Sequence, residues 1–246
     1  MDKSNYIFGL HTVRAFLLRN PARIRRIWFQ EGRNDQRLSM LRSSAEQAGI
    51  ACQTLSRREL DTLVCNAQHQ GVVVDVEPMG SAGERELIHA LQELHGPPFL
   101  LVLDGVQDPH NLGACLRSAD AAGVHGVVVP KNRSAGLTPA VCKVACGAAE
   151  TVQLYTVVNL VRVLDQLKEA GVWIYGAAEE AADSLYGSDL RGPIALVLGG
   201  EDKGLRRLTR EHCDNLVAIP MAGSVESLNV SVAAGIMLFE ARRQRL

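Results

Sequence analysis

Six apolar runs, FLLVLD, GVVVP, VQLYTV, VWIYGA, IALVLGG and LVAIPM, punctuate the second half of this 246-residue chain. Each is five to seven residues long, with no polar residue at every second place. Runs of that length without alternation read as strands buried on both faces. Helical segments separate them, and buried strands joined by helices build a parallel sheet with helices on both sides. An α/β domain with six parallel strands is therefore expected over residues 98–246. Punctuation supports the helices between the strands. Asn159 can cap LVRVLDQLKEAG, which closes at Gly171, and Thr138 with Pro139 supplies a cap and a first helical position. Asp108-Pro109 forces a turn, after which Asn111 is read as the cap of a helix starting at Leu112.

The N-terminal part reads as a second, smaller α/β domain over residues 1–76. RRIWFQ and GVVVDVE are strand-like, and QRLSMLRSSAEQAG has helical period and stops at Gly49. MGSAGEREL and LHGPPF bracket a short helical pattern, ELIHALQEL, and residues 77–97 are expected to link the two domains. The net charge of −1 is uneven. Residues 1–76 carry eleven Lys/Arg against seven Asp/Glu, whereas residues 98–246 carry fourteen against sixteen. The surplus is mostly arginine, as in RNPARIRRIWFQEGR, and clustered arginine suits a phosphate backbone. Arg23, Arg25 and Arg26 are the candidates for such contacts, although a solvated face accounts for the same charges. Of Trp28 and Phe29, side by side on one strand, at least one is expected in the core. Six cysteines occur without a CxxC pair; Cys142 and Cys146, at helical spacing in an Ala-rich stretch, read as buried free thiols, and a reducing cytoplasm is expected. No apolar run is long enough to span a bilayer, and the start has no secretory pattern.

In open α/β sheets, ligands bind beyond the carboxyl ends of the strands, and three strand-end loops are unusual. DGVQDPHNLGACLRSADAAG places Arg117 among small residues early in its helix. LVLGGEDKGL sets Gly199, Gly200 and Gly204 around Glu201. It lacks GxxxxGK[ST], and no GxGxxG occurs in the chain, so neither phosphate-loop nor dinucleotide fingerprint is met. A carboxylate there repels a phosphate and suits an uncharged or cationic ligand. IPMAGSVESLNVSVAAGIMLFEA carries Ser227, Asn229 and Ser231 at a helix start that one capping residue would satisfy.

DPHNLGACLRSADAAG, LVLGGEDKGL and IPMAGSVESLNVSVAAGIMLFEA resemble, in this order, the three motifs of the SpoU (TrmH) family of RNA ribose 2′-O-methyltransferases. The resemblance extends over the whole chain and is strongest to the branch that methylates guanosine in 23S rRNA. It implies a SPOUT α/β fold with a deep trefoil knot, S-adenosylmethionine as methyl donor, and a homodimer formed through the C-terminal domain. It also implies an L30e-like N-terminal domain that binds RNA. Methyl transfer from a sulfonium releases a neutral leaving group, so no metal is expected. By the same resemblance, backbone groups at Gly199, Ile219 and Leu228 contact the donor. Arg117 is the catalytic candidate, acting as base or as charge stabiliser, and Asn111, Glu201, Ser227 and Asn229 complete the site. Ser231 is expected to be structural, and His110 a turn residue or RNA contact. Glu150 and Glu179-Glu180 are expected as surface charges. Lys203, Arg206, Arg207 and Arg210 read equally as RNA contacts or a solvated face. A tRNA 2′-O-methyltransferase is the alternative within the family, and a catalytically silent RNA-binding protein the alternative outside it. The N-terminal domain argues against the first, and the intact motif residues against the second.

Overall fold

Two sheets organise the computed structural model, which describes residues 5–33, 35–77, 82–201, 204–225 and 227–246. They lie in separate units, residues 1–79 and 80–246.

The first unit runs β1 (Asn5–Phe8), α1 (Leu10–Arg19), β2 (Ile24–Gln30), α2 (Gln36–Gln47), β3 (Cys52–Leu55), α3 (Arg57–Leu63) and β4 (Val72–Val76). Its sheet has the order β1-β4-β2-β3. β4 is antiparallel to both neighbours, and β3 pairs parallel with β2. Every residue of β4, VVVDV, is buried, which suits a strand inside the sheet with both faces covered. β2 divides its side chains between those faces. Ile27 and Phe29 pack with Val13, Phe16, Leu38 and Leu41. Trp28 packs on the other side with Leu60, Val64 and Val73. Both aromatic rings of β2 are therefore core. Asp35 caps α2 by accepting from the Leu38 N–H, and α3 opens with a capping box of Ser56 and Glu59.

The second unit runs α4 (Glu84–Gln92), β5 (Phe99–Asp104), α5 (Pro109–Ala122), β6 (Gly126–Pro130), α6 (Pro139–Ala145), β7 (Leu154–Val157), α7 (Leu160–Glu169), β8 (Trp173–Ala177) and β9 (Asp183–Ser184). It continues through β10 (Ile194–Gly199), α8 (Arg207–Glu211), β11 (Asn215–Ala218) and α9 (Val230–Gln244). The six expected strands are joined by a seventh, the two-residue edge β9. The order is β7-β6-β5-β10-β8-β11-β9, with every pairing parallel. Side chains of β5 alternate between two layers. Leu101 and Leu103 meet α5, α6 and α9 through Leu112, Val141 and Met237, whereas Leu100 and Val102 meet α4 and α7 through Leu87 and Leu164. Helices thus cover both faces, as the apolar runs require.

Chain order reverses within this sheet. β5, β6 and β7 step in one direction, the chain then crosses to β8, and β10 later fills the gap between β5 and β8. The fit there is close. A Cβ at Gly199 would strike the backbone of Gly204 and Leu205, and one at Gly200 would lie 2.7 Å from the Gly105 carbonyl oxygen. These passes lie in a loop that the family resemblance assigns to the knot.

Three expectations are corrected, besides that of the buried thiols: Cys146 is exposed and Cys142 half-buried. First, the chain from residue 82 does not behave as a linker. Leu87 is 1% exposed in the second unit's core. Glu84 accepts from the Val158 N–H at 3.1 Å and pairs with Arg162. Met79, Gly80 and Ser81, from the Gly/Ser-rich stretch, lie outside the described residues. Second, α5 begins at Pro109, and its cap is Asp108, whose Oδ1 accepts from the His110 N–H at 2.9 Å. Proline fits the first helical position because its fixed φ suits the helix and its missing N–H is not needed. Asn111 is thereby released from capping. Third, Glu150 is buried rather than a surface charge, at 5% exposure. Thr138 and Asn159 do cap α6 and α7, accepting from the Val141 and Arg162 N–H groups.

Candidate functional site

The loops of the three motifs leave the carboxyl ends of β5, β10 and β11. β5 and β10 end side by side, with Asp104 opposite Gly199 in the register. The Asp104 side chain is 0% exposed. Its carboxylate accepts from Arg206 Nε at 2.6 Å and from the Arg206 backbone N–H at 3.2 Å, and it also meets Nη2. It therefore anchors the chain as it returns from the loop after β10. The sequence reading gave Asp104 no role. Its one signal was an acid closing an otherwise apolar strand.

Asn229 caps α9, its Oδ1 accepting from the Ser231 N–H at 2.9 Å and from Ser231 Oγ at 2.6 Å. Its Nδ2 donates to Asn111 Oδ1 at 3.0 Å, and Asn111 Nδ2 donates to Glu201 Oε1. One residue from each motif loop is thus joined to the next. The amide orientations follow from the cap. Two donors from Ser231 require the Asn229 oxygen on their side, which turns its nitrogen to Asn111. The Asn111 oxygen must face that nitrogen, so its own nitrogen needs an acceptor, and Glu201 supplies one. Every donor along the chain points toward the carboxylate. Two of the three polar residues at this helix start are thereby explained. Ser227 lies exposed on the loop, outside the set. Burial, reinforced by the Glu201 charge, pushes the Cys115 thiol on α5 up to about 12, which keeps it neutral and unreactive.

Arg117 lies elsewhere on α5. Six positions after Asn111, it occupies a different side of the helix, where it is exposed with Nη1 3.8 Å from Cys146 Sγ. Gly199 and Ile219 stand half-buried where β10 and β11 end, and Leu228 half-buried just before the α9 cap. Ile219 packs against the second unit's core. His110 is an exposed first-turn residue. Arg207 pairs with Glu211 at 2.8 Å, and Arg210 with Glu180. With Arg206 held by Asp104, all three arginines of this stretch meet carboxylates of their own chain. Lys203 lies outside the described residues.

In the first unit, Arg23 Nη2 donates to the Glu77 carbonyl at 2.7 Å, and its guanidinium lies 5.4 Å over Phe16. Arg26 lies 5.6 Å over Trp28, with Nε 3.7 Å from the buried Asp75. Arg25 is exposed. The candidate RNA contacts are thus spread over a surface partly committed to the fold.

The sequence pattern of the SpoU rRNA Methylase family matches residues 98–239, and that of the RNA 2'-O ribose methyltransferase substrate binding domain matches residues 6–80. The 23S rRNA (guanosine-2'-O-)-methyltransferase RlmB of Pseudomonas syringae pv. tomato is 55% identical over 245 residues, 100% of this chain and 98% of that protein. The protein of the same name from Shewanella oneidensis is 56% identical, over 100% of this chain and 99% of that protein. Among solved structures, the SpoU methyltransferase AviRb from Streptomyces viridochromogenes, in complex with AdoMet, aligns with a TM-score of 0.71 at 25% identity. That alignment covers 98% of this chain and 90% of that one.

Proposed function

The chain belongs to the SpoU rRNA methylase family, and on that premise we propose that it methylates the ribose 2′-hydroxyl of a guanosine in 23S rRNA, with S-adenosylmethionine as donor. The observation that carries this reading is the hydrogen-bonded set Ser231–Asn229–Asn111–Glu201, which closes three motif loops at the carboxyl edge of the sheet. Likeness over both domains to the RlmB proteins favours rRNA over tRNA.

The residues present fit the donor. S-adenosylmethionine supplies an electrophilic methyl group on a cationic sulfur. Glu201 receives its hydrogen bond from a neutral amide, so its negative charge suits a cationic ligand. The close pass at Gly199 keeps that turn free of side chains, so its backbone groups stay bare. Gly199, Ile219 and Leu228 would hold the donor through such groups. The work left to the chain is alignment and charge. Asn229 and Ser231 fix Asn111, Asn111 fixes Glu201, and a site held this way spends little entropy in positioning the attacking hydroxyl. Ser227 extends the polar edge toward the incoming ribose. Arg117 is assigned to the developing oxyanion and the neighbouring phosphate, because a guanidinium stays protonated and offers a planar fork of donors.

We also assign the active form to a homodimer. On α9, Val232 and Phe239 are 49% and 50% exposed, with half-buried Ile236 between them, spaced so that they share one apolar stripe. α9 lies against α5, where Gly235 faces Ser118. Two such stripes can cover each other across a two-fold axis. Among the described residues no helix is long and apolar enough to cross a membrane, and an rRNA substrate supports a cytoplasmic location. The test is transfer of labelled methyl to unmodified 23S rRNA and to bulk tRNA, followed by mapping of the modified nucleotide. A 2′-O-methylguanosine in 23S rRNA is expected. Label confined to tRNA overturns the substrate, and transfer to neither overturns the enzyme.

A further inference from the structure

The first unit holds a cleft that the methyl-transfer residues do not use. It is open, encloses about 320 Å³, and lies between the end of β2 and the outer face of α2. Phe29 contributes to its floor, and Arg33, Ser39, Arg42, Ser43 and Thr54 to its walls. That volume is at the lower end for pockets that take small organic groups, ~300–1,000 Å³.

The two arginines differ in how they are held. Arg42 lies 4.7 Å over the Phe29 ring, and its Nη2 donates to Thr54 Oγ1 at 3.0 Å. The stack and the hydrogen bond fix its plane while leaving further N–H donors for a ligand. Arg33 pairs with Asp35 at 2.9 Å, and each side chain is 40% exposed. An exposed pair of that kind is held weakly, so a phosphate can draw Arg33 away at small cost. Ser39 and Ser43 stand one turn apart on the exposed face of α2. Ser39 donates its hydroxyl proton to the Asp35 carbonyl at 3.2 Å and keeps its lone pairs to accept. Two guanidinium groups, one of them held planar and immobile, and three hydroxyls make a constellation suited to a nucleotide. The guanidinium groups answer a phosphodiester, the hydroxyls answer a ribose 2′-OH, and a guanidinium plane can stack an unpaired base.

We propose that this cleft seats one unpaired nucleotide of the RNA substrate, with its phosphate on Arg33 and Arg42 and its ribose toward Ser39 and Ser43. The proposal rests on the rRNA reading and names where the first unit grips the strand. It moves the anchor away from Arg23 and Arg26, which already contact Glu77, Phe16, Asp75 and Trp28.

The test uses the full chain and unmodified 23S rRNA transcript. Two variants are compared with the wild type, Ser43→Glu and the pair Arg33→Gln with Arg42→Gln. Ser43→Glu puts a carboxylate into the cleft from an exposed helix position, so folding is kept, and thermal melting verifies this. RNA affinity is read by filter binding across a salt series, and donor affinity by calorimetry. Both variants should weaken RNA binding at least tenfold at moderate salt and leave donor affinity unchanged. The double arginine variant should also flatten the salt slope by roughly 1.4–1.8, the loss of about two phosphate contacts. If wild-type protein neither binds nor methylates rRNA, the functional reading fails and this proposal with it. If the wild type acts on rRNA, and either folded Ser43→Glu binds it equally well or the double arginine variant keeps the wild-type salt slope, the cleft alone is refuted.

Discussion

Asn111 shows how much one side chain's role depends on its neighbour. Read from sequence it could cap a helix, but Asp108 precedes a proline and takes the cap. Asn111 then becomes the middle member of a chain from Ser231 to Glu201. If its amide is the required donor to Glu201, Asn111→Asp should be worse than Asn111→Ala. The aspartate sets two carboxylates against each other, whereas alanine only removes a link worth ~0.5–1.5 kcal/mol. Single-turnover methylation at saturating RNA should fall about tenfold for alanine and further for aspartate. Full activity in the aspartate variant would remove Asn111 from the site. The motif residues were legible because they sit in long, unusual loops. Their mutual contacts were not, since partners such as Asn111 and Asn229 are 118 positions apart. Asp104 was illegible for the same reason: its partner Arg206 lies 102 positions away, and nothing local distinguishes it from any strand-ending acid.

Elements were readable where they were long or fully apolar. The six runs of the second unit became strands because burial on both faces leaves an unbroken apolar signal. β1 and β3 span four residues each and β9 only two, too few for any period to show. α4 was seen as a helix but taken for a linker, because its flanks are Gly/Ser- and Pro-rich. Its membership of the second unit rests on Leu87 and on Glu84, whose partners at 158, 159 and 162 are remote in sequence. A fragment of residues 80–246 should accordingly fold and bind donor, whereas one of residues 98–246 exposes the surface under Leu87. Thermal melting should place the shorter fragment several degrees lower, and equal midpoints would return α4 to the linker. The far end of α9 makes a second prediction. Arg243 and Gln244 donate to Glu240 and hold its carboxyl at about 2, below the ordinary 4.5. Gln244 in turn donates to the Ser188 carbonyl and accepts from the Leu190 N–H, tying this turn to the loop before β10. Because the folded value is the lower one, the stabilisation is complete above pH 4.5 and disappears as pH falls toward 2. Glu240→Gln should lower the melting temperature at pH 7 and narrow the gap to wild type as pH falls through that window. A constant gap would show that Glu240 acts by packing alone.

At the scale of the whole molecule, charge and apolar surface are divided between the two units. The first carries the arginine surplus and the proposed nucleotide cleft, and the second carries the three motif loops and the stripe on α9. Arg117 gives this division a consequence. It stands exposed on α5, away from the Asn111–Glu201 contact made by the same helix. A single copy of the second unit therefore shows the catalytic candidate and the polar set on different sides of α5. Pairing through α5 and α9 would bring each copy's exposed helix face against the other copy, where Arg117 can contribute to a completed site. Phe239 offers a direct test, because half of its surface is exposed in one copy and its replacement need not disturb the core. Phe239→Glu places two like charges against each other across a two-fold contact. Light scattering should give a dimer for the wild type at micromolar concentration and a monomer for the variant. Methyl transfer should fall at least tenfold, with the melting temperature of the variant no longer dependent on protein concentration. A wild-type monomer would defeat the dimer outright. A monomeric variant with full turnover would show that one copy holds everything the reaction needs.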